Sequence, residues 1–240
     1  TIERAMRMGI KNRKILLCLL PAALPVAVYS FSLNPPPVQR SGAPADGGLN
    51  CAACHRSTGG ANTDPRGRLG IQAVNYRPGA KQTIRVTLEH PEATKWGFQL
   101  TARLASDETR AAGAFTPTAA ISVRCANNTN PPCGELAEFA SHNSSSTQTG
   151  ATGMVVWDVE WTAPPAGQGD VVFYAAGNAA NNSSSNAGDY IYTSSLRLRA
   201  ADACNLTQTP RVLGVRNAAT FEDNRFAANT LISIGGAGFQ

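Results

Sequence analysis

The sequence predicts an all-β protein, an antiparallel sandwich reached through a long polar lead-in. Three observations predict it. Segments in which apolar residues alternate with period two recur between residues 82 and 199, as strands with one wet face require. Downstream of the N-terminal apolar run, no stretch of comparable strength repeats at 3.6 residues. Loops rich in Gly, Pro and Asn separate the segments, and charged side chains make up only 15% of the chain, which suits an exported β-rich protein. At 240 residues the chain is long enough to bury a proper core.

Residues 1–32 read as a signal peptide or N-terminal anchor. Arg4, Arg7, Lys11, Arg13 and Lys14 form a basic start, and Met6 and Met8 are candidate initiators. The apolar run from Ile15 to Val28 follows; it is shorter than the roughly 20 residues a spanning helix needs, so charge, length and order fit a secretory signal. Cleavage is expected between Ala27 and Ser32, although Tyr29 and Phe31 make a poor small-residue site and leave an uncleaved anchor open. Cys18 is followed by Leu19, which argues against a lipoprotein cysteine. The formal charge of +5 comes almost wholly from this end: five of the 21 basic and one of the 16 acidic side chains precede residue 15. The nearly neutral remainder gives no support to a nucleic-acid partner. A membrane would be met only through an uncleaved N-terminus or a further C-terminal anchor.

Residues 33–81 form the lead-in. Residues 35–50 are rich in Pro and Gly without apolar periodicity, as an extended segment would be. They deliver Cys51-Ala52-Ala53-Cys54-His55, two thiols three positions apart with an imidazole immediately after. That order reads as a c-type haem attachment site: each thiol adds to one vinyl group and the histidine becomes the proximal ligand. Without the histidine, the Cys pair would fit a disulfide or half of a zinc site equally well, and both remain alternatives. The expected cofactor is one covalent haem c on Cys51, Cys54 and His55.

Residues 82–205 hold the sandwich. Ile84, Val86 and Leu88 share a face, as do Trp96, Phe98, Leu100, Ala102 and Leu104. Val155, Trp157, Val159 and Trp161 do the same with Asp158 and Glu160 opposite; Val171–Ala176 and residues 190–199 complete the set. The alternation marks Trp96, Trp157 and Trp161 as core and the two acids as a solvated face. Residues 126–153 and 178–188 read as unusually long polar loops, commonly functional in a compact domain. Cys125 and Cys133 bracket a short turn-rich segment and are the candidate disulfide, with Cys204 left over and the pairing open on sequence alone.

Tyr76-Arg77-Pro78-Gly79, Trp96-Gly97-Phe98-Gln99-Leu100, Trp161-Thr162-Ala163-Pro164, the run Val172 to Asn181 and Gly188-Asp189-Tyr190-Ile191-Tyr192-Thr193 occur in that order. Together they resemble the Reeler (reelin N-terminal) domain in its bacterial, choice-of-anchor V form, over about residues 42–200. The resemblance implies an immunoglobulin-like β-sandwich exported to the cell surface or periplasm, and bacterial members carry a comparable Cys-x-x-Cys-His element before the sandwich. It implies no established activity. Residues 210–240, with Val-x-Asn-Ala-Ala-x-Phe from Val215, are similar to the opening of a small β domain of acidobacterial surface proteins.

A second axial ligand has three candidates. His142, in the long polar loop, is the leading one, and Met154 is the alternative, although its pattern also fits a sandwich core or edge residue. His90, before Pro91, reads as a surface turn residue. Two imidazoles would make a low-potential electron-transfer centre, whereas Met would raise the potential. Asp189, after the Asn/Ser/Gly loop, lacks the Asp-rich pattern of a calcium loop. No nucleophile elbow, phosphate loop or dinucleotide fingerprint is present. The chain therefore reads as an electron-transfer or haem-sensing protein rather than an enzyme, its partner a redox protein. The alternative is a surface adhesion module without haem, with a surface ligand as partner; a haem peroxidase, which needs an open distal side, ranks third.

Overall fold

The computed structural model describes residues 35–55, 59–183, 185–201, 211–217 and 232–237. Two antiparallel sheets face one another. The first runs in the order β1 (Arg68–Gln72), β2 (Lys81–His90), β8 (Gly153–Thr162), β5 (Ala114–Phe115). The second runs β10 (Tyr190–Leu198), β9 (Val171–Ala180), β3 (Lys95–Leu104), β7 (Glu138–His142), β6 (Ile121–Cys125), with β4 (Asp107–Ala111) paired to β3. A separate antiparallel pair, β11 (Arg211–Asn217) with β12 (Ile232–Ala237), falls within the 210–240 segment. The predicted segment 1–32 and Cys204 lie outside the described residues.

The five strands expected from alternation are present, each within a few residues of its predicted span. In the first sheet the alternation means what it should. Ile84, Val86, Leu88, Val155, Trp157, Val159 and Trp161 are buried, while Arg85 and Asp158 pair on the wet face with Nε–Oδ1 at 2.8 Å. Each tryptophan N–H also finds a backbone carbonyl: Trp96 donates to Ala151 at 2.9 Å, Trp157 to Ser146 at 3.0 Å and Trp161 to Ala112 at 2.9 Å. Buried indoles require such partners, so all three serve the core as predicted. The sheets approach closely at Gly177 of β9, where a Cβ would meet Leu88 Cδ2 at 2.9 Å.

The second sheet departs from the one-wet-face expectation. β3 is buried on both faces, including Gln99, Thr101 and Arg103. The lead-in causes this by crossing the outer face. Gln99 Nε2 donates to Pro37 O at 2.9 Å, the Arg40 N–H donates to Gln99 Oε1, and Arg103 Nη2 meets Asp46 Oδ2 at 2.6 Å. The side chains of that ion pair are 3% and 5% exposed, so the lead-in belongs to the packed body. β1, too, falls in the 33–81 span, ahead of the predicted start of the sandwich at 82.

Three further differences bear on the site. Residues 126–153 are not one long loop, because β7 and a 3-10 turn at Ser144–Ser146 interrupt them. β7 (Glu-Phe-Ala-Ser-His) has buried residues on both faces and therefore no alternation to read. β9 continues to Ala180, so Asn178 is a strand residue. His90 is not a surface turn residue: it ends β2 fully buried and stacks on Tyr190 with centroids 4.0 Å apart. Cys125 and Cys133 form the expected disulfide.

Candidate functional site

Asn50 starts the local structure of the motif. Its side chain accepts from the Ala52 N–H at 2.9 Å and caps a 3-10 turn at Cys51–Ala53, as Asn does at helix starts. The turn is extended by Cys54 N–H to Cys51 O at 3.2 Å and His55 N–H to Cys51 O at 2.9 Å. One helical turn thus carries Cys51, Cys54 and His55, and all three line a cavity with an empty volume of about 920 Å³ that includes its open mouth. The loop after β9 anchors the turn, with Asn186 Nδ2 donating to Cys54 O at 2.6 Å.

His142 stands in the same cavity. Its place follows from strand register. β3 and β7 pair through Thr101–Phe139, Leu100–Ala140 and Gln99–Ser141; the next pair would be Phe98 with His142. There the ring takes over from the ladder: His142 Nδ1 lies 2.9 Å from Phe98 N and 3.1 Å from Phe98 O. The ring rests directly on Gly97, where a Cβ would meet Cε1 at 2.6 Å and Nε2 at 2.9 Å. Only glycine permits this approach. Burial holds the imidazole below its ordinary pKa; the Phe98 backbone opposes that effect, while the charges of His55 and Lys95 add to it. His142 is therefore neutral at physiological pH.

His55 is held by a different set of atoms. Its Nδ1 lies 2.6 Å from Asp189 Oδ2 and 2.9 Å from Asn178 Nδ2. For both histidines Nδ1 is the engaged nitrogen, and among the described residues neither Nε2 makes a hydrogen bond. A histidine that donates from Nδ1 presents its Nε2 lone pair to a metal; His55 does so toward the Asp189 carboxylate, whereas His142 Nδ1 also accepts from the Phe98 N–H.

Cys51 and Cys54 are free thiols. Burial pushes the Cys51 thiol up to about 12, so it stays protonated at neutral pH and is a poor nucleophile for disulfide exchange. Among the described residues no three Cys, His, Asp or Glu side chains converge as a metal cage. The cavity instead offers two thiols beside one imidazole and a second imidazole in the same space. That donor set fits a planar macrocyclic ligand carrying its own metal. Met154 does not join it. It is 55% exposed on β8, opposite Glu89 of β2, and does not line the cavity. His90 is likewise elsewhere, with Nε2 3.7 Å from Asp64 Oδ2. Asp189 and Asn178 are the residues that the one-dimensional pattern missed as partners of His55. They lie 134 and 123 positions from it, and the only local signal was Asp189 closing a loop rich in Asn, Ser and Gly.

The Reeler domain model matches residues 52–183. No curated protein matches the chain. Among solved structures, the reeler domain of human F-spondin (fragment 1) is similar at 23% identity, covering 60% of this chain and 92% of that one, with a TM-score of 0.36. The Reelin-N domain of F-spondin gives 23% identity, 63% and 95% coverage and a TM-score of 0.37. A protein from Nocardia farcinica with an immunoglobulin-like fold gives 14% identity, 55% and 98% coverage and a TM-score of 0.31. The family match takes in more than half of the chain, including Cys54, His55, His142 and Asn178: this protein belongs to the Reeler domain family.

Proposed function

We propose that this Reeler domain is an exported monohaem c-type protein working in electron transfer or haem-based sensing, of the choice-of-anchor V form in which a Cys-x-x-Cys-His element precedes the sandwich. One observation carries the reading: His55 and His142 share one cavity with the two motif cysteines, each with Nδ1 engaged and, among the described residues, no hydrogen bond at Nε2. Cys51 and Cys54 would hold the porphyrin through thioethers, His55 would be the proximal ligand and His142 the distal one. When bound, haem supplies one-electron Fe(III)/Fe(II) chemistry. The chain's part is to fix two imidazoles, exclude water with Trp96 and Phe98, and keep His142 neutral by burial. An imidazole where a peroxidase needs an open distal side favours electron transfer over catalysis. The redox partner is a protein met outside the cytoplasm.

Family membership itself favours a second reading, in which the same cavity is a recognition pocket on an extracellular-type adhesion module. One experiment separates the two. The full chain is expressed with export and c-type maturation, extracted with acid-acetone, and its reduced-minus-oxidised spectrum recorded in alkaline pyridine. A thioether-haem signature that stays with the protein is expected. A folded, exported protein without haem would overturn the first reading in favour of the second. In the haem protein, His142→Ala should convert a six-coordinate low-spin spectrum to one that binds carbon monoxide without competition.

A further inference from the structure

The two imidazoles are backed by unequal acceptors. Among the described residues His142 Nδ1 meets only the neutral backbone of Phe98, its N at 2.9 Å and its O at 3.1 Å. His55 Nδ1 meets the carboxylate of Asp189 at 2.6 Å, and that carboxylate is 3% exposed. Asp189 is built in from several sides: Oδ2 also accepts from Asn178 Nδ2 at 3.3 Å, and Oδ1 accepts from the Asn181 N–H at 3.3 Å. Asn178 Nδ2 lies between the two groups, 2.9 Å from His55 Nδ1 and 3.3 Å from the carboxylate, while among the described residues its own buried Oδ1 has no partner.

Resting on the haem reading, we propose that Asp189, held by Asn178, is the positioning residue of the site. It locks His55 with Nε2 toward the iron, biases that iron toward the ferric state, and leaves His142 as the ligand that exchanges. A full negative charge at Nδ1–H pushes electron density to Nε2 and raises ligand basicity, which stabilises Fe(III) over Fe(II). Reduction is a one-electron transfer from an external donor, with no protein bond made or broken. A carbonyl gives His142 no such reinforcement, so an incoming small ligand displaces it and leaves His55 in place.

The test is the midpoint potential of the full-length, matured protein. Asp189→Asn keeps the size and removes the charge. It should retain covalent haem and shift the Fe(II)/Fe(III) preference about tenfold toward Fe(II), which is about 59 mV for one electron. Asp189→Glu should stay nearer the parent, and Asp158→Asn, a surface charge on the opposite sheet, should leave the potential unmoved. Covalent haem with an unchanged midpoint in Asp189→Asn would falsify the proposal and reduce Asp189 to a loop-closing residue. Absence of covalent haem in the parent would instead bring down the haem reading and this inference with it. Should Asp189→Asn fail to mature, ligand exchange is read on the parent. Carbon monoxide added after dithionite reduction should give the same spectrum in the parent as in His142→Ala, because His55 would be the retained protein ligand in both; different spectra overturn the assignment.

Discussion

Gly97 and His142 act as one unit, since the ring occupies the space where any side chain at 97 would begin. A Cβ there would lie 2.6 Å from Cε1 of a ring whose neighbouring Nδ1 is held by Phe98. Gly97→Ala should therefore move the imidazole, with an overpacking cost of about 1–3 kcal/mol. In the haem protein this would appear as loss of the six-coordinate spectrum in a chain that still folds, and unchanged coordination would show that the ring gives way elsewhere. Glu138 makes a separate prediction. It is buried on β7, and its Oε2 accepts from the Phe115 N–H at 2.7 Å. Burial raises its pKa, and the Phe115 bond only partly opposes this. A carboxyl with a raised folded pKa contributes stability that is complete below its ordinary value and is lost as pH rises through the folded one. Glu138→Gln keeps the acceptor and removes the ionisation. Urea unfolding should find it more stable than the parent at pH 8 and equal to it at pH 4.

At the scale of elements, β7 matters most because its last residue is His142. β6 and β7 are neighbours, and the Cys125–Cys133 bond closes the turn at the end of β6 before β7 begins. Replacing both cysteines with serine should cost about 2–4 kcal/mol, seen as a lower urea midpoint under non-reducing conditions. The effect should reach the site, because β7 sets the height of His142 against Phe98; an unshifted midpoint would make the bond dispensable. The loop after β9 has a comparable role on the other wall. Asn186 and Asp189 tie it to Cys54 and His55, so the long polar loop is the second support of the motif.

On the scale of the whole molecule, the site exists only because the lead-in is bound across β3. Arg103 and Asp46 form the buried clasp, reinforced by Arg103 Nη1 donating to Glu108 O at 3.2 Å and by the guanidinium lying 5.3 Å from the Phe139 ring centre. Asp46→Ala leaves a buried cation without its partner, which typically costs about 3–5 kcal/mol. It should also loosen the segment that carries Cys51. Limited proteolysis should then cut between residues 40 and 50 in the variant and spare the parent. Equal resistance would mean that the remaining contacts of Pro37, Arg40 and Ala43 suffice.

The sequence alone makes legible the β class, the five alternating strands, the core tryptophans, Cys125 and Cys133 as candidate partners with their pairing left open, and the Cys-x-x-Cys-His motif. Each of these is local: alternation reports one wet face, and the motif needs only neighbouring residues. It also marked His142, by residue type, without showing that His142 ends a strand. Tertiary structure alone decided the rest. β1 and β7 were hidden because they are short and lack clear alternation, and the outer face of β3 looked solvent-facing because the lead-in that covers it is polar. The partners of His55 lie more than 120 positions away. Pairings at that distance depend on strand order and register, which no local pattern encodes.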